Sequence, residues 1–89
     1  MRAIVTVIGK DRVGIIADVT ALLAQYGVNV LDISQTVMND YFTMMMVVDT
    51  EQCAQPFDTL SAALADYGQN RGLSVRIQRE DIFNAMHKI

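Results

Sequence analysis

Cysteine and histidine are almost missing from this chain, which has one of each in 89 residues. The lone Cys53 excludes an internal disulfide framework and fits a reducing compartment. No histidine lies near it in sequence, so it reads as a small half-buried residue near a helix start rather than as a reactive thiol. His87 stands close to the C-terminal end, where a general base would ride on a fraying turn, and no Ser/His/Asp or Cys/His arrangement can be assembled around it. We therefore expect no enzyme. Asp11, Asp18 and Asp32 could approach one another near the first turn, yet they lack close metal-ligand spacing, and no CxxC pair exists. Neither a metal nor a cofactor is expected.

Basic residues are also few and scattered. Seven Lys and Arg against ten Asp and Glu give a net charge of −3, without the electrostatic footprint that nucleic acid requires. The longest apolar run, Met44–Val48, falls far short of the ~20 residues that cross a bilayer. The opening MRAIVTVIGKD has no small-residue cleavage site after it, so no secretory signal is read there. These absences predict a cytoplasmic protein with neither nucleic acid nor membrane as partner.

What the chain does have is buriable surface, with 52% apolar residues, enough to exclude disorder and too short a chain for two cores. Arg2–Ile8 alternates with apolar residues on both faces and predicts a central strand. Ile16, Val19, Leu22 or Leu23, and Tyr26 follow at helical spacing and stop at Gly27. Val28–Met38 reads as a second strand whose apolar phase changes near Val30, the mark of a bulge. Asn39-Asp40 turns it into a third strand, Tyr41–Asp49, again apolar on both faces. A second helix is expected to start between Thr50, a possible cap, and Pro56; it buries Phe57, Leu60, Leu64 and Tyr67 and stops near Gly72. Gly68 should fray its last turn. Leu73–Glu80 alternates cleanly as a fourth strand, and Asp81 would cap a short final helix carrying Ile82, Phe83 and Met86.

The order strand, helix, strand, strand, helix, strand predicts an α+β fold of the ferredoxin-like βαββαβ kind. Its four-stranded antiparallel sheet would run 4-1-3-2 with two helices on one face. That order makes the two-sided strands central. It also leaves the second strand as an unprotected edge, with Asp32 its only charge up to Met38. A homodimer through this strand and the first helix is expected, with the outer sheet face covered by a partner or by the C-terminal tail.

GKDRVGIIA, from Gly9 to Ala17, joins the first strand to the first helix. A helix start of this kind offers unpaired N–H groups and a positive dipole end to an anion or carboxylate. Alternatively Asp11 only caps the helix and Gly14 only eases packing. Within this fold, the third strand lacks the glycine and basic residues of an RNA-recognition surface.

GKDRVGI in the turn, GVNVLDISQTV on the second strand and YFTMMMVV on the third together resemble the ACT domain family, in particular its small stand-alone UPF0237 group. The resemblance spans the chain, with residues 1–80 as the domain and 81–89 as a helical tail. It implies a regulatory module that binds a small molecule, typically an amino acid, at a dimer interface. The implied binding residues are Asp11, Arg12, Val13, Gly14 and Ile15 in the turn, and Asn29, Val30, Leu31 and Asp32 on the second strand. With no fused enzyme to regulate, the expected output acts in trans on a separate protein. A dimeric adaptor with no ligand is the competing reading.

Overall fold

The structure, a computed structural model, describes residues 1–10 and 14–86. Strand β1 (Arg2–Lys10) leads to helix α1 (Ile15–Gln25), strands β2 (Asn29–Met38) and β3 (Tyr41–Asp49), helix α2 (Phe57–Arg71), strand β4 (Ser74–Arg79) and helix α3 (Glu80–Met86). The strands form one antiparallel sheet in the order β2-β3-β1-β4. Read from the other edge, this is the expected 4-1-3-2 order.

One face of the sheet carries the core. Ala3, Val5 and Val7 from β1, Met44, Met46 and Val48 from β3, and Val75 and Ile77 from β4 meet Ile15, Val19 and Leu23 of α1 and Leu60 and Leu64 of α2. Both helices therefore lie on that face. The buried stripe of α1 starts at Ile15; Ile16, which the periodicity had assigned to it, remains exposed.

The phase change in β2 has a clear structural reason. Val30 pairs with Val48 and Asp32 with Val47, so Leu31 is an extra residue, a bulge. The insertion brings even-numbered Val30 and odd-numbered Ile33 and Val37 opposite Val48, Met46 and Phe42, all core residues. Without it, half of the strand's apolar residues would turn to the other face. Asn39 at φ 55 makes the tight turn into β3.

Both long helices end on left-handed glycines. After α1, Gly27 N–H and Val28 N–H donate to the carbonyls of Ala24 and Leu23 at 3.0 and 2.9 Å, closing the orphan carbonyls of the last turn. After α2, Leu73 N–H reaches the Gly68 carbonyl at 2.7 Å across Gly72. Gly68 itself is buried and helical, and α2 continues to Arg71. Its missing side chain is required there: a Cβ would stand 2.8 Å from the Leu73 carbonyl oxygen and from Val75 Cγ2. At the other end, α2 begins after Pro56. Thr50 caps nothing; its N–H and hydroxyl both donate to the Met1 carbonyl at 2.9 Å.

The outer face is partly covered in cis. Helix α3 lies over β1 and β4, with Phe83 and Met86 bordering a pocket that also contains Ile8, Met45, Arg76 and Gln78. Gln78 Nε2 donates to Met86 Sδ at 3.3 Å, and Arg2 pairs with Glu80 at 3.4 Å. Asp81 lies inside the first turn of α3, where its carboxylate accepts from Ile82 N–H and pairs with Arg79.

Candidate functional site

The first helix starts on Gly14, at φ 89 and ψ −1, with no side-chain cap. Asp18 N–H donates to the Gly14 carbonyl at 2.9 Å, the first bond of the helix. Any residue other than glycine pays for this positive φ. Among the described residues, and apart from its chain neighbours, no atom lies within 4 Å of where a Gly14 Cβ would point, so these residues leave the helix start open as well as bent.

In front of it runs a groove of about 760 Å³, lined among the described residues by Gly14, Ile15, Ile16, Ala17, Gln35, Val37 and Phe42. Its walls are thus the first turn of α1 and the C-terminal half of β2. That strand is the outer edge of the sheet, and nine of its ten residues are exposed. The side of β2 toward the helices shows Ile33 and Val37, 42% and 57% exposed, and Ile16 of α1 lines the groove with Val37. A bare apolar strip next to an unpaired strand edge is the surface a lone domain would not keep in water.

Of the nine residues singled out in the sequence, Gly14 and Ile15 are at the groove. Asp11, Arg12 and Val13 lie outside the described residues. Asn29, Val30, Leu31 and Asp32 are at the opposite end of the sheet: Asn29 pairs with Asp49, the partner of Arg2, whereas the first turn follows Lys10, which pairs with Tyr41 beside Met38. Nine residues of β1 separate the two ends, roughly 27 Å at ~3.3 Å per residue. One chain therefore does not bring both halves of the expected site together. Asp32 also faces the outer side of the sheet, opposite Val47, and one of its carboxylate oxygens accepts from Ile33 N–H at 2.8 Å.

Besides Ile16 and Ala17 of α1, the groove residues that the sequence reading did not assign to the site are Gln35, Val37 and Phe42. Their signal was present: after a bulge at Leu31 the odd-numbered residues of β2 face the helices, and Gln35 is the polar one among them. Asp18, next along α1, turns away from Asp32 and toward α2. Its Oδ2 accepts from the Tyr67 hydroxyl at 3.0 Å and from Arg71 Nη1 at 3.1 Å. Among the described residues, no three His, Cys, Asp or Glu side chains gather as a metal site would need. No helix among them is long and apolar enough to cross a membrane.

Comparison with known proteins agrees with this architecture. The sequence profile of the ACT domain matches residues 2–78. A UPF0237 protein of Listeria monocytogenes serotype 4b is 53% identical over 89 residues, covering 100% of both chains. An ACT domain protein from Streptococcus pneumoniae superposes with a TM-score of 0.83 at 45% identity, covering 98% of each chain. The regulatory subunit of aspartate kinase from Thermus thermophilus, ligand free, gives a TM-score of 0.68 at 25% identity over 89% of this chain and 51% of that one. The protein belongs to the ACT domain family, whose members are regulatory ligand-binding domains.

Proposed function

We propose that this protein is a homodimeric sensor that binds an amino acid in the groove at the start of α1 and acts in trans on a separate protein. The observation that carries the proposal is Gly14, whose left-handed backbone and empty Cβ direction open a helix N-terminus onto the groove beside an unpaired strand edge. Such a start receives a carboxylate.

A homodimer supplies the half of the site that one chain lacks. If two copies pair their β2 edges antiparallel about a two-fold axis, the start of one strand lies beside the end of the other. Asn29 of the partner subunit then comes to the Gln35–Val37 end of this chain, next to Gly14. Its carboxamide oxygen, or a carbonyl freed by the bulge at Leu31, can accept from the ammonium of a bound amino acid. The likeness to the regulatory subunit of aspartate kinase supports a regulatory role.

Thermal-shift measurements against the twenty amino acids at millimolar concentration test the proposal. A ligand at ~100 times its Kd stabilises by about 2.7 kcal/mol, which raises the melting temperature of a domain this size measurably. Gly14→Val, which strains the backbone and fills the mouth of the groove, is expected to abolish that rise. No shift with any amino acid would favour the ligand-free adaptor instead.

A further inference from the structure

Resting on the reading that two copies pair along β2, we infer that Gln35 lies on the two-fold axis and bonds to Gln35 of the partner subunit, setting the register of the interface. Two independent features of the strand select this residue. The first is the length of regular edge. The ladder of β2 runs without a shift only from Asp32 to Met38, because Leu31 is surplus between Val30 and Asp32. In an antiparallel pair, residues directly opposite one another point to the same side, so a two-fold axis normal to the sheet passes through one residue and its own copy. Centred on Gln35, the pairing uses every residue from Asp32 to Met38 of both copies. Centred on Ser34, it sets Val37 and Met38 against the partner's Leu31 and the partner's Val30, the bulged stretch. Centred on Thr36, it leaves Ile33 and Asp32 opposite the turn that follows the partner's Met38.

The second feature is the chemistry of the pairs. Ile33, Gln35 and Val37 stand on the helix side of the strand, opposite Met46, Met44 and Phe42, and Ser34 and Thr36 on the outer side, opposite Met45 and Thr43. With Gln35 on the axis, Ile33 meets the partner's Val37 and Val37 meets the partner's Ile33, which covers two exposed apolar side chains. Ser34 meets the partner's Thr36 on the other side, a hydroxyl pair of the kind that stabilises sheets. An axis through Ser34 or Thr36 instead sets the Gln35 carboxamide against the partner's Ile33 or the partner's Val37. No hydrogen bond to a described residue occupies that carboxamide, and its donor and acceptor are matched by the same groups of Gln35 of the partner subunit. One polar pair among apolar ones penalises every alignment that leaves it unmatched, which is how a lone buried amide fixes register in helical dimers. Gln35 also lines the groove at the start of α1, so the pair on the axis stands in the wall of both grooves.

Cysteine cross-linking of the full chain in a Cys53→Ser background tests the register. Opposite residues of antiparallel strands have Cα atoms about 4.5–5.5 Å apart, inside the ~4.4–6.8 Å span of a disulfide. Under mild oxidation Gln35→Cys alone should form a disulfide dimer. Ser34→Cys alone and Thr36→Cys alone should not, since each stands two residues along the strand from its own copy, whereas a mixture of those two variants should. In sedimentation equilibrium Gln35→Glu should weaken the dimer roughly 5-fold through like charges on the axis, and mixing it with Gln35→Lys should restore association. Cross-linking of Ser34→Cys or Thr36→Cys alone, with none of Gln35→Cys, would overturn the register while leaving a β2 homodimer standing. Unaltered association of Gln35→Glu would overturn the role of the carboxamide pair. A chain that sediments as a dimer yet cross-links in no variant or mixture would overturn the inference by placing the interface away from β2. A monomer with no cross-link at all would remove the homodimer reading and the inference together.

Discussion

Tyr67 near the end of α2 donates its hydroxyl to Asp18 in the first full turn of α1, across 3.0 Å and 49 residues of sequence. Arg71 reaches the same carboxylate oxygen at 3.1 Å and lies over the Tyr67 ring, 5.7 Å from its centroid. Asp18 also gives its N–H to the Gly14 carbonyl, so one residue closes the first turn of the candidate site and ties it to the second helix.

This tie is half-exposed, with the Asp18 and Arg71 side chains 40% and 39% accessible. Its ion pair is therefore expected to stabilise by no more than ~1 kcal/mol. Removing the tyrosine hydroxyl should cost about 1 kcal/mol. For a chain of this size, Tyr67→Phe should then melt roughly 4–8 °C lower, as measured by circular dichroism. An unchanged melting temperature would show that the bond adds nothing in solution.

Burial, followed by the hydrogen bond to Asp18, raises the Tyr67 pKa above its ordinary value. A folded pKa above the unfolded one means that the stabilisation is complete below about pH 10 and disappears as the pH climbs through the folded value. Urea midpoints of the native protein should fall above pH 10 more steeply than those of Tyr67→Phe. At the acid end the sign reverses. The Glu51 N–H, with help from the N-terminal ammonium, holds Asp49 below the usual carboxylate range. Its contribution is present above about pH 3.9 and is lost as the pH falls through the lower folded value, so Asp49→Asn should flatten the acid limb.

Replacing glycine by alanine inside a helix ordinarily gains about 1 kcal/mol. Gly68→Ala is expected to do the reverse and cost roughly 1–3 kcal/mol, because the new methyl would press on the Leu73 carbonyl and Val75. A guanidinium chloride midpoint higher than that of the native chain would reject this.

Gly14→Ala separates conformation from contact. Among the described residues the methyl has open space, so the positive φ of 89° is the expected penalty, at about 1–2 kcal/mol. Stability should drop by that amount while dimerisation is unaffected. A larger loss would mean that the space is occupied in solution.

Sedimentation equilibrium at micromolar concentration should find the native chain as a dimer and Ile33→Lys as a monomer, since a charge turned inward on an edge strand prevents pairing. A native monomer would dismiss the β2 interface.

The fold was legible because its strongest signals are local. Two-sided apolar alternation marked β1 and β3 as central, and the slip of phase after Val30 announced the bulge that the pairing with Val48 and Val47 displays. The helix ends were legible at Gly27 and Gly72, where a left-handed residue is required, but Thr50 was a plausible cap on composition alone, and Asp11 lies outside the described residues. Gly14 proved to be the N-cap of α1, and Thr50 spends its hydrogen bonds on Met1. Asp18 with Tyr67 and Arg71 could not be read at all, because the contact depends on how two helices lie side by side. For the same reason, the residues proposed on β2 lie on a strand as expected, at the end of the sheet opposite the first turn of their own chain. Motif spacing says what is near along the backbone; sheet register decides what is near in space.

The surplus residue at Leu31 also limits how an added strand can align. Uninterrupted hydrogen-bonding rhythm is available only from Asp32 to Met38, so a strand shifted along the edge would forfeit bonds at the kink. A partner of the same sequence brings the same irregularity in reverse order, and each kink meets a fixed point on the other strand. The bulge that lets β2 bury its apolar residues would thereby also fix the alignment of two copies.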